Sequence, residues 1–119
     1  MAQPTCIDNR ALDRLRRQGG PVLVRESVKI VLVDAPPRRR DGRAGAKAGN
    51  MDATGRAAHS LKSTAAALGA VELKAISARI EQLAGANQGQ AVDALLDQWD
   101  AAFADAEREL TAFVAADPV

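Results

Sequence analysis

Apolar positions recur at helical spacing through most of the chain, so helices are the expected elements. Ala11, Leu12 and Leu15 form a short stripe within residues 7–17, with Asp8 or Asn9 available as N-cap, and Gly19-Gly20-Pro21 interrupts it. Pro21 is suited to open a second helix over residues 21–36, where Val24, Val28, Ile30, Val31 and Leu32 lead into Ala35-Pro36-Pro37. The run Val22 to Val33 is β-branched enough to pass for a strand, but an otherwise helical chain favours helix. Residues 38–50 break the pattern: three arginines are followed by Gly42, Gly45 and Gly49, and alanine is the only apolar residue type. A weak helix or a loop is expected there.

The remainder, 52–115, reads as three helices. Ala57, Leu61, Thr64 and Leu68 make a stripe that stops at Gly69, and Leu73, Ile76, Ile80 and Leu83 make a second that stops at Gly85-Ala86-Asn87. Val92, Leu95, Leu96, Trp99, Phe103, Ala106, Leu110, Phe113 and Val114 make the third and longest. Antiparallel neighbours joined by short loops imply an all-α fold: an up-and-down antiparallel four-helix bundle with an additional short N-terminal helix, in a single domain spanning 1–119.

Composition agrees. With 26 alanines, no tyrosine and aromatics at 3%, a core of closely approaching helices is favoured over a sheet. Sixteen Lys+Arg against 15 Asp+Glu give a net charge of +1, which argues against a general nucleic-acid binder. One cysteine, Cys6, excludes an internal disulfide, and with a single histidine it cannot build a Cys/His zinc site. No metal site or bound cofactor is expected. No 18-residue apolar run exists for a membrane span, and Met1 to Arg10 has no charged segment leading into an apolar one. The expectation is a cytoplasmic protein with no membrane partner.

The candidate chemistry centres on that histidine. With Ala57 at zero on a helical wheel, Leu61, Thr64 and Leu68 fall within about 40°, whereas His59 falls at about 200°. Lys62 lies at about 140°, Ala66 at about 180°, Ser63 at about 240° and Arg56 at about 260°, so all are on the outward side. An exposed imidazole keeps a nucleophilic nitrogen at cellular pH. A phosphoryl group on it would bring roughly two negative charges, which Lys62, three residues on, could meet with a charge-assisted hydrogen bond. Small Ser63 and Ala66 would leave room for an approaching protein. Ser60 points about 100° away from His59, which disfavours a hydrolase triad. No GxxxxGK[ST] or strand-borne GxGxxG occurs, so the phosphoryl group must come from elsewhere.

The string Ala57-Ala58-His59-Ser60-Leu61-Lys62-Ser63-Thr64-Ala65-Ala66-Ala67-Leu68-Gly69-Ala70, continuing to Leu73 and to Ile80-Glu81, resembles the histidine phosphotransfer (HPt) domains of two-component phosphorelays. Their signature is an AHxLK core, a small residue and a downstream LGA; here Leu61, Leu68 and Gly69 supply its structural positions. The resemblance implies a helical bundle in which His59 carries phosphate between receiver domains through its distal nitrogen. Lys62 would support the phosphoryl group, and Ser63, often Gly in the family, would give the receiver access. Partners implied are response-regulator receivers, which would bring the magnesium, and a hybrid histidine kinase. At 38–50 relatives commonly carry leucines, so a shortened, frayed or displaced helix is expected. Glu81 matches an acidic family position and is assigned to solubility or an ion pair. The chain reads as a free-standing carrier.

Two other functions are compatible with parts of the sequence. One is a bundle that binds a receiver or kinase without being phosphorylated; the other is a binder of nucleic acid or an anionic surface through Arg38, Arg39, Arg40, Arg43 and Lys47.

Overall fold

In the computed structural model, which describes residues 6–116, the chain forms four helices: α1 (Asn9–Lys47), α2 (Met51–Leu68), α3 (Val71–Gly85) and α4 (Gly89–Ala116). The fold is all-α, with no strand among the described residues beyond an isolated bridge between Ile7 and Ala70. Asp8 is the cap that opens α1, its carboxylate accepting from the Arg10 amide at 3.0 Å. The expected interruption at Gly19-Gly20-Pro21 is present as a single non-helical residue inside α1. Gly20 has φ +80° and ψ 177°, after which Pro21 restarts the helix.

One sequence expectation is corrected here: Pro36-Pro37 does not end the second helix, because helical structure runs through both prolines to Lys47. Of the weak helix or loop expected over 38–50, it is the helix that is found over 38–47, with a turn after it. The prolines lack the amides that would bond the carbonyls of Leu32 and Val33, a local loss that the surrounding packing tolerates. The glycines that looked like breakers are contact points. A Cβ at Gly42 would lie 2.6 Å from Cη2 of Trp99 and 3.0 Å from Cβ of Ala57, and one at Gly45 would lie 2.8 Å from Oγ1 of Thr54. Absent side chains let α1 approach α2 and α4 closely. Arg39 and Arg43 hold the same segment to α4 by ion pairs to Asp100, with Arg43 also 3.7 Å from Asp97. The Arg39 guanidinium lies over the Phe103 ring, 5.5 Å from its centroid.

The helices alternate in direction. Asp8 bonds Gly69 while Thr54 bonds Gly42, so α1 and α2 run oppositely; the contacts of Arg39 and Cys6 with Asp100 and Glu109 reverse α4 against α1 in the same way. Neighbours pack in the closed order α1–α2–α3–α4–α1, which puts α1 and α3 at opposite corners. In the middle Trp99, Leu61, Ile80, Val24, Val28 and Val92 are fully buried, and the indole Nε1–H donates to Ser77 Oγ at 2.9 Å. On α2 the buried stripe is Thr54, Ala57, Ala58, Leu61, Ala65 and Leu68 rather than one passing through Thr64, which is half-buried. Thr54 can be buried because its hydroxyl donates to the Gly42 carbonyl at 2.9 Å.

Two tight connections set the registers. Asn50 caps α2 by accepting from the Ala53 amide. Gly69, with φ +76°, ends it, and a Cβ there would strike the Asp8 carbonyl oxygen at 2.4 Å. No helix of the described residues is long and apolar enough to cross a membrane.

Candidate functional site

His59 sits in the middle of α2 with its side chain 62% exposed, on the face opposite the buried stripe. The outward geometry expected from the wheel is present for each candidate. Arg56, Ser63 and Ala66 are exposed and Lys62 is half-buried, while Leu61 and Leu68 are in the core and Gly69 is the turn. Leu61 and Leu68 pin the inner face of α2 and thereby aim His59 at solvent.

α3 contributes the residue that joins these groups. Glu81 places Oε2 2.6 Å from Nδ1 of His59 and Oε1 2.5 Å from Nζ of Lys62, so one carboxylate bridges both α2 side chains. The sequence reading assigned Glu81 to solubility or an ion pair; the ion pair is present, and it also touches the imidazole. A local pattern does not show this, because the residues are 22 apart. The signal is the hairpin: His59 and Glu81 each stand eleven residues from Ala70, in the turn between α2 and α3, so antiparallel packing brings them level.

The electrostatics follow from that bridge. The Lys62 ammonium, and after it the hydrogen bond to His59, hold the Glu81 carboxyl below its ordinary range. Ionised, Glu81 can only accept, so His59 Nδ1 is the donor and carries the proton. In the neutral ring the lone pair is then on Nε2. Arg56 is occupied with Asp52 at 2.5 Å, one turn earlier on the same helix. Beside His59 an open groove between α2 and α3 is floored by Gly55, Ala84 and Gly85. Among the described residues no group of three or more His, Cys, Asp or Glu side chains is arranged to hold a metal ion.

Cys6, the other residue with reactive potential, is held differently. Its thiol donates to Glu109 Oε2 at 2.9 Å, and burial together with that carboxylate pushes its pKa up to about 12. It is a protonated structural donor rather than a nucleophile.

The site is thus a solvent-facing imidazole on a helical bundle, oriented by a carboxylate from the next helix. The family model for the Hpt domain matches residues 26–109, and the chain belongs to that family, whose members carry out histidine phosphotransfer in two-component phosphorelays. No curated protein matches the sequence. Among solved structures the chain is similar to histidine-containing phosphotransfer protein B (HptB) from Pseudomonas aeruginosa PAO1. The TM-score is 0.89 at 23% identity, over 98% of this chain and 100% of that one. At that identity the likeness is one of fold, and it includes the α1 segment that the sequence reading expected to be irregular.

Proposed function

We propose that the protein relays a phosphoryl group between receiver-domain aspartates through Nε2 of His59. The observation that carries this reading is the contact of Nδ1 with Glu81 on an otherwise solvent-facing ring: it occupies one nitrogen and leaves the other nucleophilic and pointing outward.

The step is an in-line displacement. The Nε2 lone pair attacks the phosphorus of a receiver's aspartyl phosphate; the N–P bond forms as the acyl P–O bond breaks, and the aspartate leaves as a carboxylate. The ring gains positive charge as it is phosphorylated, and the Glu81 carboxylate, already placed against Nδ1–H, stabilises that charge without moving. Lys62 has ammonium protons beyond the one given to Glu81, and these meet the phosphoryl oxygens. Attack by a second receiver's aspartate reverses each change. Positioning and charge compensation supply the catalysis, as in phosphoryl transfer generally, and the receiver brings the magnesium.

In this reading Arg56, Ser63 and Ala66 border the ring as part of the receiver contact, and Ser63 and Ala66 keep the surface low. A hybrid histidine kinase is the proposed upstream source, with the cytoplasm as the compartment. The segment of α1 before Gly20 is the additional short N-terminal helix that precedes the four-helix bundle.

The test is to incubate the chain with a receiver phosphorylated on aspartate and to assay for acid-labile, base-stable phosphate on the protein. Wild type is expected to acquire it and His59→Gln to remain unlabelled with unchanged helical content. Labelling of the variant at the wild-type level would reject His59 as the carrier. A wild-type chain that binds the receiver but stays unphosphorylated would make it an interaction module.

A further inference from the structure

Among the described residues, nearly all the large apolar side chains left in solvent lie on one helix. Val22 (54% exposed), Leu23 (42%), Ile30 (59%) and Val33 (72%) are on α1, and the remaining one, Val71, is on α3. With Val33 at zero on the α1 wheel, Val22 falls at about −20°, Ile30 at about 60° and Leu23 at about 80°. Exposed Pro37 falls at about 40°, while the buried Val24 and Val28 lie on the far side at about 180° and −140°. These residues form a stripe along the outer face of α1.

The charges on the stripe have a symmetry of their own. Glu26 and Arg40 stand seven residues before and seven after Val33, at about +20° and −20° of it, and both are exposed. In an antiparallel pair of α1 helices with the two-fold axis at Val33, Glu26 of each copy meets Arg40 of the other, twice. Val33 packs on Val33, Ile30 on the Pro36-Pro37 step, and Val22 on Ala44. Among the described residues Glu26 has only a loose contact, 3.7 Å to Lys29, and Arg40 has no ion pair, so both can pair across such an interface. Such a self-complementary patch is what an isologous two-fold interface requires.

We propose that the protein self-associates through this face as an antiparallel α1–α1 dimer. The stripe from Val22 to Ala44 spans about 33 Å of helix, at roughly 10–12 Å width, so the contact is below the standard protein–protein size and the dimer is a weak, reversible one. Because α1 and α3 are at opposite corners of the bundle, the interface leaves both His59–Glu81 seams open. The proposal stands independently of what His59 does.

Sedimentation equilibrium of the full chain from a few micromolar to about one millimolar tests it. The expected result is a reversible shift from 12.5 kDa to twice that mass. Val33→Asp should weaken the dimer at least tenfold with the far-ultraviolet circular dichroism spectrum unchanged. Glu26→Arg and Arg40→Glu should each weaken it several-fold by facing like charges across both symmetric pairs, and the two changes combined should restore it. A chain monomeric throughout the range overturns the proposal, as does a dimer indifferent to Val33→Asp or a combined charge swap that fails to restore association. A monomer that instead holds a receiver domain through this stripe, losing it in Val33→Asp, would assign the face to that partner and overturn the dimer.

Discussion

Two seams of this bundle carry ionic groups between helices, and they are built to different ends. Between α1 and α4, Arg39 and Arg43 converge on Asp100, Arg43 reaches Asp97, and Phe103 lies beneath the Arg39 guanidinium. Every group there faces a complementary one, and the seam holds guanidinium and carboxylate groups but no imidazole. Between α2 and α3, Glu81 bridges Lys62 and His59 but leaves one face of the imidazole in water. Charge pairing across a helix seam is therefore not a functional signal by itself. What separates the two is the presence of a nucleophile with one nitrogen satisfied and the other unsatisfied.

That contrast predicts a ranking of substitutions. His59→Gln removes the proposed phosphoryl acceptor and should lower phosphoryl acceptance by at least a thousandfold, measured by phosphate transfer from a receiver, with the unfolding midpoint in urea near that of wild type. Trp99→Ala acts on the frame common to both seams: it empties a fully buried site and removes the donor to Ser77, for a loss of about 3–5 kcal/mol in urea unfolding. Lys62→Ala should slow transfer roughly 10–100-fold while leaving stability within about 1 kcal/mol, the range expected for losing one charge-assisted hydrogen bond to the phosphoryl group. Loss of structure in this variant would show that Lys62 belongs to the frame instead. Asp100→Asn should have the smallest effect, at most about 1 kcal/mol of stability and no change in transfer rate. A large transfer defect there would erase the distinction between the seams.

The pH response sharpens the same comparison. The Glu81 carboxyl is depressed in the folded chain, so its contribution is fully present above the ordinary value of 4.5 and is lost only as pH falls through the lower folded value. A carbon-detected NMR titration of Glu81 should have its midpoint below 4.5 in wild type and return toward it in Lys62→Ala. An unshifted midpoint in wild type would show that the bridge does not persist in solution.

Legibility from sequence differed along the chain for definite reasons. The stripes Leu61/Leu68 and Leu73/Ile80 have clear period, and the outward position of His59 followed from the same wheel. Segment 38–47 reads only as a weak helix or a loop because its partners supply what its own side chains lack. Gly42 and Gly45 are small to admit Trp99 and Thr54, and Arg39 and Arg43 are ordered by carboxylates about sixty residues away. Intrinsic propensity treats those glycines and the Pro36-Pro37 step as breakers, and tertiary contact overrides it. Thr64 was placed in the core where Thr54 is buried instead, because a threonine enters the interior only with an acceptor, and the Gly42 carbonyl is visible only once α1 packs on α2.

The linear chain determined the helices whose apolar residues repeat, the turn at Gly69, and an imidazole facing away from the core beside a lysine. These depend on spacing along one helix, which the chain carries in itself. Only the packed bundle decided that Glu81 would meet Nδ1, that the arginine-rich segment would be ordered, and which apolar stripe of α1 would stay uncovered. Each of these depends on distance between residues far apart in sequence, set by how closely glycine and alanine let the helices approach.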